Sequence, residues 1–182
     1  RPAPLGSPSG LALIGANMLP LVGVLAFGWD LSNVMVLYWA ESAVIGLYTV
    51  LKMFIVGKWL APLPAMFFVG HYGGFMAAHF LFVYALFVKQ GASIAEEPAV
   101  REALLGIFGP LWPALVALMV SHGVSFAVNF IRHQEYVGAT VSGLMGAPYK
   151  RIMIMHVTII FGGWIVLLLG APALVLALLV VL

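Results

Sequence analysis

Long apolar runs separated by short polar segments are the dominant pattern along the chain. The runs cover residues 10–28, 31–57, 64–88, 110–131, 150–170 and 171–182. A helix of about 20 apolar residues crosses the hydrocarbon core of a bilayer and satisfies its own backbone hydrogen bonds there. The pattern therefore predicts an all-α integral membrane helical bundle with six transmembrane helices, in a single domain that covers residues 1–182. The last run would reach only about 18 Å, so we expect the sixth helix to be truncated and to continue beyond Leu182.

Two of the polar segments between the runs predict different structures. Residues 91–109 carry three glutamates and Arg101 ahead of an apolar stretch, which predicts a short amphipathic helix at the membrane interface. Residues 132–149 are rich in glycine, and we expect a loop there, with the fifth transmembrane helix beginning near Lys150.

The charged residues between the runs are distributed unevenly. Basic residues flank the second and fourth connections (Lys52, Lys58, Arg132, Lys150 and Arg151), whereas acidic residues lie in the first and third (Asp30, Glu96, Glu97 and Glu102). Connections that carry Lys and Arg usually face the cytoplasm. This distribution predicts that both termini are cytoplasmic.

The composition narrows the class of protein and its partners. Hydrophobic residues make up 64% of the chain and charged residues 8%, whereas a soluble domain has about 25% charged residues. A soluble fold is therefore excluded, and eight Lys and Arg residues are too few and too scattered for a nucleic-acid surface. Membrane lipid is the expected partner, and the glycines and alanines of several helices would permit a homo-oligomer. No feature of the sequence indicates a protein partner.

Histidines within the apolar runs are the main candidates for chemistry. Counted from the predicted cytoplasmic helix ends at about 1.5 Å per residue, His71, His122 and His156 lie about 10–15 Å deep on three different helices. The chain has no cysteine, and neutral imidazole is a good ligand for transition metals. We therefore expect these three side chains to hold one divalent transition metal, with zinc as the expected ion. His79 lies deeper and is expected to be a further ligand.

Glu41 is the candidate catalytic residue. An unpaired carboxylate near the bilayer midplane would cost several kcal/mol and would usually take up a proton. Glu41 therefore needs a partner, and His79 at a similar depth is the expected one. The pair would be a second metal shell, a proton relay or a general base beside metal-bound water. Other polar residues expected to line the site are Tyr38 on the second helix and Ser121, Ser125 and Asn129 on the fourth.

Several of these positions also carry a resemblance to a known family. The segment Tyr38-Trp39-Ala40-Glu41, the helix with His71 and His79, Ser121-His122-Gly123, and Pro148-Tyr149-Lys150-Arg151 followed by His156 stand out. In these segments, and over nearly its whole length, the chain resembles the bacterial membrane proteins of domain of unknown function 6498. The resemblance implies a bacterial inner (cytoplasmic) membrane protein and brings no established activity with it.

The leading functional hypothesis is an intramembrane metal-binding protein that hydrolyses a lipid-like substrate. A haem protein is an alternative, because two histidines on facing helices can bind a haem axially. A proton-coupled transporter that uses Glu41 and His79 as a relay is another. In a fourth hypothesis the histidines have only a structural role and connect neighbouring helices by hydrogen bonds.

Overall fold

Helices make up nearly all of the chain that is described by the computed structural model, which covers residues 30–88 and 100–169. They are α1 (Leu31–Gly57), α2 (Pro62–Val83), α3 (Val100–Phe108), α4 (Trp112–Ser125) and α5 (Val141–Leu169). The 3-10 turn Lys58–Leu60 joins α1 to α2, while α2 continues as a π-helix over Tyr84–Val88 and α4 over Phe126–Arg132. Residues 30–88 and 100–169 contain no β-strand.

The ends of α1 follow from local chemistry. The carboxylate of Asp30 accepts a hydrogen bond from the Ser32 backbone N–H at 2.9 Å, which satisfies one of the free donors at a helix N-terminus. At the other end Lys58 has φ 47°, a value outside the helical region. The predicted bounds of this helix, residues 31–57, are those of the structure.

Helix α1 lies at the centre of the described bundle, because it packs against α2, α4 and α5. Its buried side chains Met35, Val36 and Met53 belong to one apolar core with Phe68 of α2 and Met155 of α5. Helix α3 is joined to this group through aromatic contacts of Phe108 with Trp39 and Phe80 (ring centroids 6.1 and 5.7 Å apart). Side chains that point inward from α1 therefore meet three neighbouring helices.

The outer surface of the described bundle is largely apolar. Large hydrophobic side chains such as Leu63, Met66, Leu81 and Val120 are exposed, as expected where lipid replaces water. Within residues 30–88 and 100–169, three segments are long and apolar enough to cross a membrane: Leu31–Leu60, Pro62–Val88 and Trp112–Arg132. The first and sixth predicted spans lie outside the described residues, so the number of six and the cytoplasmic termini stay predictions.

The start of α5 differs from the sequence-based expectation. The stretch predicted to be a loop is helical from Val141, and the hydroxyl oxygen of Thr140 accepts a hydrogen bond from the Gly143 N–H at 3.2 Å. This contact caps the N-terminus of α5. It favours a helix more strongly than the nearby glycines favour a loop. Pro148 lies inside the helix. Arg151 consequently lies ten residues into α5, rather than at its first turn.

Candidate functional site

Ser42 of α1 connects two helices at the buried centre of the site. The side chain has no solvent-exposed area, and its hydroxyl donates a hydrogen bond to the backbone oxygen of Tyr38 at 3.1 Å. The Ser42 backbone oxygen accepts the hydroxyl of Tyr72 from α2 at 2.8 Å. Gly46, one turn further along α1, makes room for this tyrosine, since a Cβ atom there would lie 2.6 Å from its ring.

Arg151 of α5 reaches the same region and pairs with Glu41. Its guanidinium forms an ion pair with Glu41 Oε2, and its Nε donates a hydrogen bond to the Ser42 hydroxyl oxygen at 3.0 Å. The guanidinium carbon lies 4.4 Å from the centre of the Tyr38 ring, a cation–π distance. These contacts balance the charge of Glu41 and satisfy two of the three guanidinium nitrogens.

His122 of α4 approaches the other oxygen of the carboxylate. Its Nε2 lies 3.5 Å from Glu41 Oε1, which is slightly longer than a hydrogen bond. The ring stacks on Tyr48 of α1 at a centroid distance of 6.5 Å, and the Tyr48 hydroxyl donates to the Met119 backbone oxygen at 3.0 Å. Glu41, Arg151 and His122 thus form a cluster of ionisable groups from three helices, named the Glu41 centre below.

A cavity between α1 and α4 leads to the Glu41 centre. Its volume is about 710 Å³, within the usual range for small-molecule sites. Its walls are formed mainly by apolar side chains: Val34, Leu37, Leu111, Ala114, Ala117 and Leu118. Polar groups lie at its two ends, Asp30 and Asn33 at the outer end and Tyr38, Glu41 and Ser121 at the inner end. The helical rise separates Asp30 from Glu41 by about 16 Å. We call this cavity the chamber.

A pair of histidines lies at the interface of α2 and α5. His79 is buried, its Nδ1–H donates to the Phe75 backbone oxygen at 2.6 Å, and its Nε2 lies 3.1 Å from Nδ1 of His156. Because Nδ1 of His79 carries the proton, a neutral ring offers a lone pair at Nε2. His156 completes a hydrogen bond when its own Nδ1 is protonated.

The three histidines that were expected to share one metal ion contact different partners. His122 lies beside Glu41, His156 beside His79, and His71 hydrogen-bonds the Tyr149 hydroxyl at 2.8 Å. Within the described residues no group of three or more His, Asp or Glu side chains could hold a metal ion. The expected convergence of the three rings is therefore not found there. The equal depth of the histidines did not specify which neighbour each ring faces.

The expected pairing of Glu41 with His79 is also wrong, since the contacts of Glu41 are with Arg151 and His122. The basic partner was missed because the late start predicted for the fifth helix put Arg151 at the membrane surface. A carboxylate buried among apolar residues needs a cation nearby. This need was the signal in the sequence that could have identified Arg151 as the partner of Glu41.

The other predicted lining residues separate into two groups. Tyr38 and Ser121 line the inner end of the chamber. Ser125 and Asn129 instead contact each other, with the Asn129 amide donating to the Ser125 hydroxyl oxygen at 3.2 Å.

Comparison with known proteins identifies the family. The model of a family of unknown function, DUF6498, matches residues 1–182. The chain belongs to DUF6498. The match covers the Glu41 centre, the chamber and the histidine pair, so all three are features of a DUF6498 chain. No curated protein and no solved structure matches the chain.

Proposed function

We propose that the protein is an integral membrane protein that binds an elongated, largely apolar molecule in the chamber. We further propose that the Glu41 centre catalyses hydrolysis of this lipid-like molecule. The observation that carries the proposal is that an apolar cavity of about 710 Å³ ends on a carboxylate. Two further ionisable side chains lie beside that carboxylate. The apolar walls fit the body of such a molecule, and the polar inner end fits its reacting group.

The proposed roles follow from the contacts of each side chain. Arg151 holds Glu41 Oε2 and offsets the negative charge of the carboxylate. Glu41 Oε1, 3.5 Å from His122 Nε2, would favour the ring orientation and the tautomer with Nε2–H toward it, and would stabilise the positive charge when the ring takes up a proton. The other ring nitrogen, Nδ1, would then accept a proton from water as the water attacks an ester or amide carbonyl. The tetrahedral intermediate would collapse with cleavage of the C–O or C–N bond, and the leaving oxygen or nitrogen would take this proton from Nδ1 and depart as an alcohol or amine, leaving a carboxylic acid. The Tyr38 and Ser121 hydroxyls would donate to the carbonyl oxygen.

A membrane setting supports this proposal. Three helical segments can cross a bilayer by their length and composition, and the exposed apolar side chains suit a lipid environment. We propose six spans, cytoplasmic termini and a bacterial inner membrane, as the sequence indicates. In this setting the substrate would come from the membrane itself.

Blocking the chamber tests the proposal. Leu118→Trp should fill the chamber, because Leu118 is part of its wall. Val120→Trp is the matched control, since Val120 lies two residues away on α4 with 59% of its surface exposed. Native mass spectrometry of protein purified in lipid nanodiscs should find a bound apolar molecule in wild type and in Val120→Trp. Leu118→Trp should reduce its occupancy by at least about tenfold.

A second variant separates binding from chemistry. His122→Gln should retain the bound molecule and lose at least about 100-fold in its hydrolysis, the usual contribution of a general base. Equal occupancy in the two tryptophan variants would refute the chamber as the binding site. Photocrosslinks from the chamber to residues 1–29 of the same chain, in place of a lipid, would refute it as well.

As a second candidate function, we propose that His79 and His156 bind a divalent transition metal, with zinc as the expected ion. Two nitrogens on one tetrahedral zinc lie about 3.3 Å apart, and these two lie 3.1 Å apart. The hydrogen bond from His79 Nδ1–H to a backbone oxygen is also common among metal ligands. Elemental analysis should find about one metal equivalent in wild type and in His133→Ala, and none in His79→Ala. Wild-type protein that stays metal-free after reloading would refute this proposal.

A further inference from the structure

We propose that the chamber selects molecules whose inner polar group is uncharged: an ester or an amide as the hydrolysable substrate, and an alcohol as a product or a non-hydrolysable analogue. This inference rests on the proposed function and adds the chemical class of the substrate. It follows from the charge balance of the Glu41 centre and from the hydrogen-bonding groups that face the chamber.

The Glu41 centre has no net charge when the His122 imidazole is neutral. The carboxylate of Glu41 and the guanidinium of Arg151 form an ion pair and cancel each other. Among the described residues of the chamber wall, the only other side chain that carries a charge at neutral pH is Asp30, about 16 Å away along α1. A phosphate or ammonium group brought to the inner end would therefore be a charge without a counterion. Such a charge is disfavoured at this depth in a membrane.

The guanidinium of Arg151 does not form a phosphate clamp. A clamp needs two parallel N–H groups directed at the ligand, whereas one terminal nitrogen of Arg151 is bound to Glu41 and Nε is bound to Ser42. One face of the guanidinium also lies on the Tyr38 ring. The cation is thus engaged by the protein itself.

The remaining groups at the inner end suit a neutral polar ligand. Tyr38 and Ser121 line the chamber, and their hydroxyls have no hydrogen-bond partner within residues 30–88 and 100–169. They can donate to a ligand oxygen. Glu41 Oε1, the carboxylate oxygen that Arg151 does not hold, can accept from a ligand O–H or N–H. An alcohol or amide offers both a donor and an acceptor.

A panel of photoaffinity probes with one alkyl chain and different end groups tests this selectivity. Each probe carries a diazirine beside its alcohol, primary amide, quaternary ammonium or phosphate end. Labelling is measured on protein in nanodiscs at pH 8, above the ordinary titration range of histidine. The adducts are mapped by mass spectrometry to α1 and α4. We expect the alcohol and amide probes to label the chamber at least about tenfold more than the charged probes, and Leu118→Trp to abolish this labelling.

Variants that change the charge of the centre provide the sharper readout. Glu41→Gln leaves Arg151 uncompensated, so labelling by the phosphate probe should rise relative to the alcohol probe. Arg151→Gln leaves a carboxylate, so the ammonium probe should gain instead. If Arg151→Gln does not fold, Glu41→Gln alone carries the test. Equal or stronger labelling of wild type by a charged probe would overturn the inference and leave chamber binding intact. If no probe labels the chamber, the proposed function fails too.

Discussion

Removing the positive charge of Arg151 should destabilise the bundle by an amount that the structure allows us to estimate. Loss of one member of a fully buried ion pair costs about 3–5 kcal/mol. The side chains of Arg151 and Glu41 are 26% and 31% exposed, so partial solvation should reduce the penalty. For Arg151→Gln we therefore expect a loss of about 2–3 kcal/mol in the free energy of unfolding. Part of this loss comes from the hydrogen bond to Ser42 and the contact with Tyr38.

A double-mutant cycle separates the ion pair from these other contacts. Glu41→Gln/Arg151→Gln removes both charges, so its loss should be smaller than the sum of the two single losses by about 1–2 kcal/mol. The assay is SDS-induced unfolding in mixed micelles, followed by tryptophan fluorescence. Lys150→Gln is the matched control, because it removes an adjacent, exposed cation from α5 and should change stability by less than about 0.5 kcal/mol. Additive losses, or an Arg151→Gln variant as stable as Lys150→Gln, would contradict the proposed ion pair.

Two further predictions concern close approach and capping. Gly46→Ala would bring a Cβ atom to 2.6 Å from Tyr72 Cε1, so we expect a loss of about 1–3 kcal/mol in the same unfolding assay. A Cβ atom added at Gly73 has no neighbouring atom within 4 Å, so Gly73→Ala should be neutral or slightly stabilising. Equal losses of unfolding free energy in the two variants would contradict the close packing at Gly46. Thr140→Ala removes the acceptor for the Gly143 N–H and should destabilise the start of α5 by about 1 kcal/mol. Hydrogen exchange in this turn should become faster, whereas Thr140→Ser should behave as wild type; unchanged exchange in Thr140→Ala would argue against the cap.

The sequence predicted individual helices better than it predicted their ends. Residues 31–57 were correctly bounded, because Asp30 provides a cap and a polar, proline-containing segment follows. The predicted start of α5 was wrong by nine residues, because the glycines of residues 132–149 indicate a loop, whereas the hydroxyl of Thr140 caps a helix there. That error moved Arg151 from the bundle interior to its surface.

The pairings within the site could not be derived from the sequence. Hydrophobic residues surround α2 on all sides, so its sequence does not indicate which face meets α1 and which meets α5. Glu41 and His122 were identified as buried ionisable residues, yet their contact depends on the order of helices around α1. Helix order depends on three-dimensional packing, and a hydropathy profile carries no information about it.

The contacts of Ser42 have a consequence for how the helices find their alignment. Lipid tails are as apolar as leucine side chains, so apolar faces gain little by meeting each other rather than lipid, and they can slide or rotate past one another. Ser42 accepts Tyr72 from α2 through its backbone oxygen and Arg151 from α5 through its hydroxyl. A shift of α2 by one turn would break the hydrogen bond of Tyr72, and the same shift of α5 would break the contacts of Arg151 with Ser42 and Glu41. The backbone oxygen and the hydroxyl of this one residue therefore help to fix the axial register of α2 and α5 against α1.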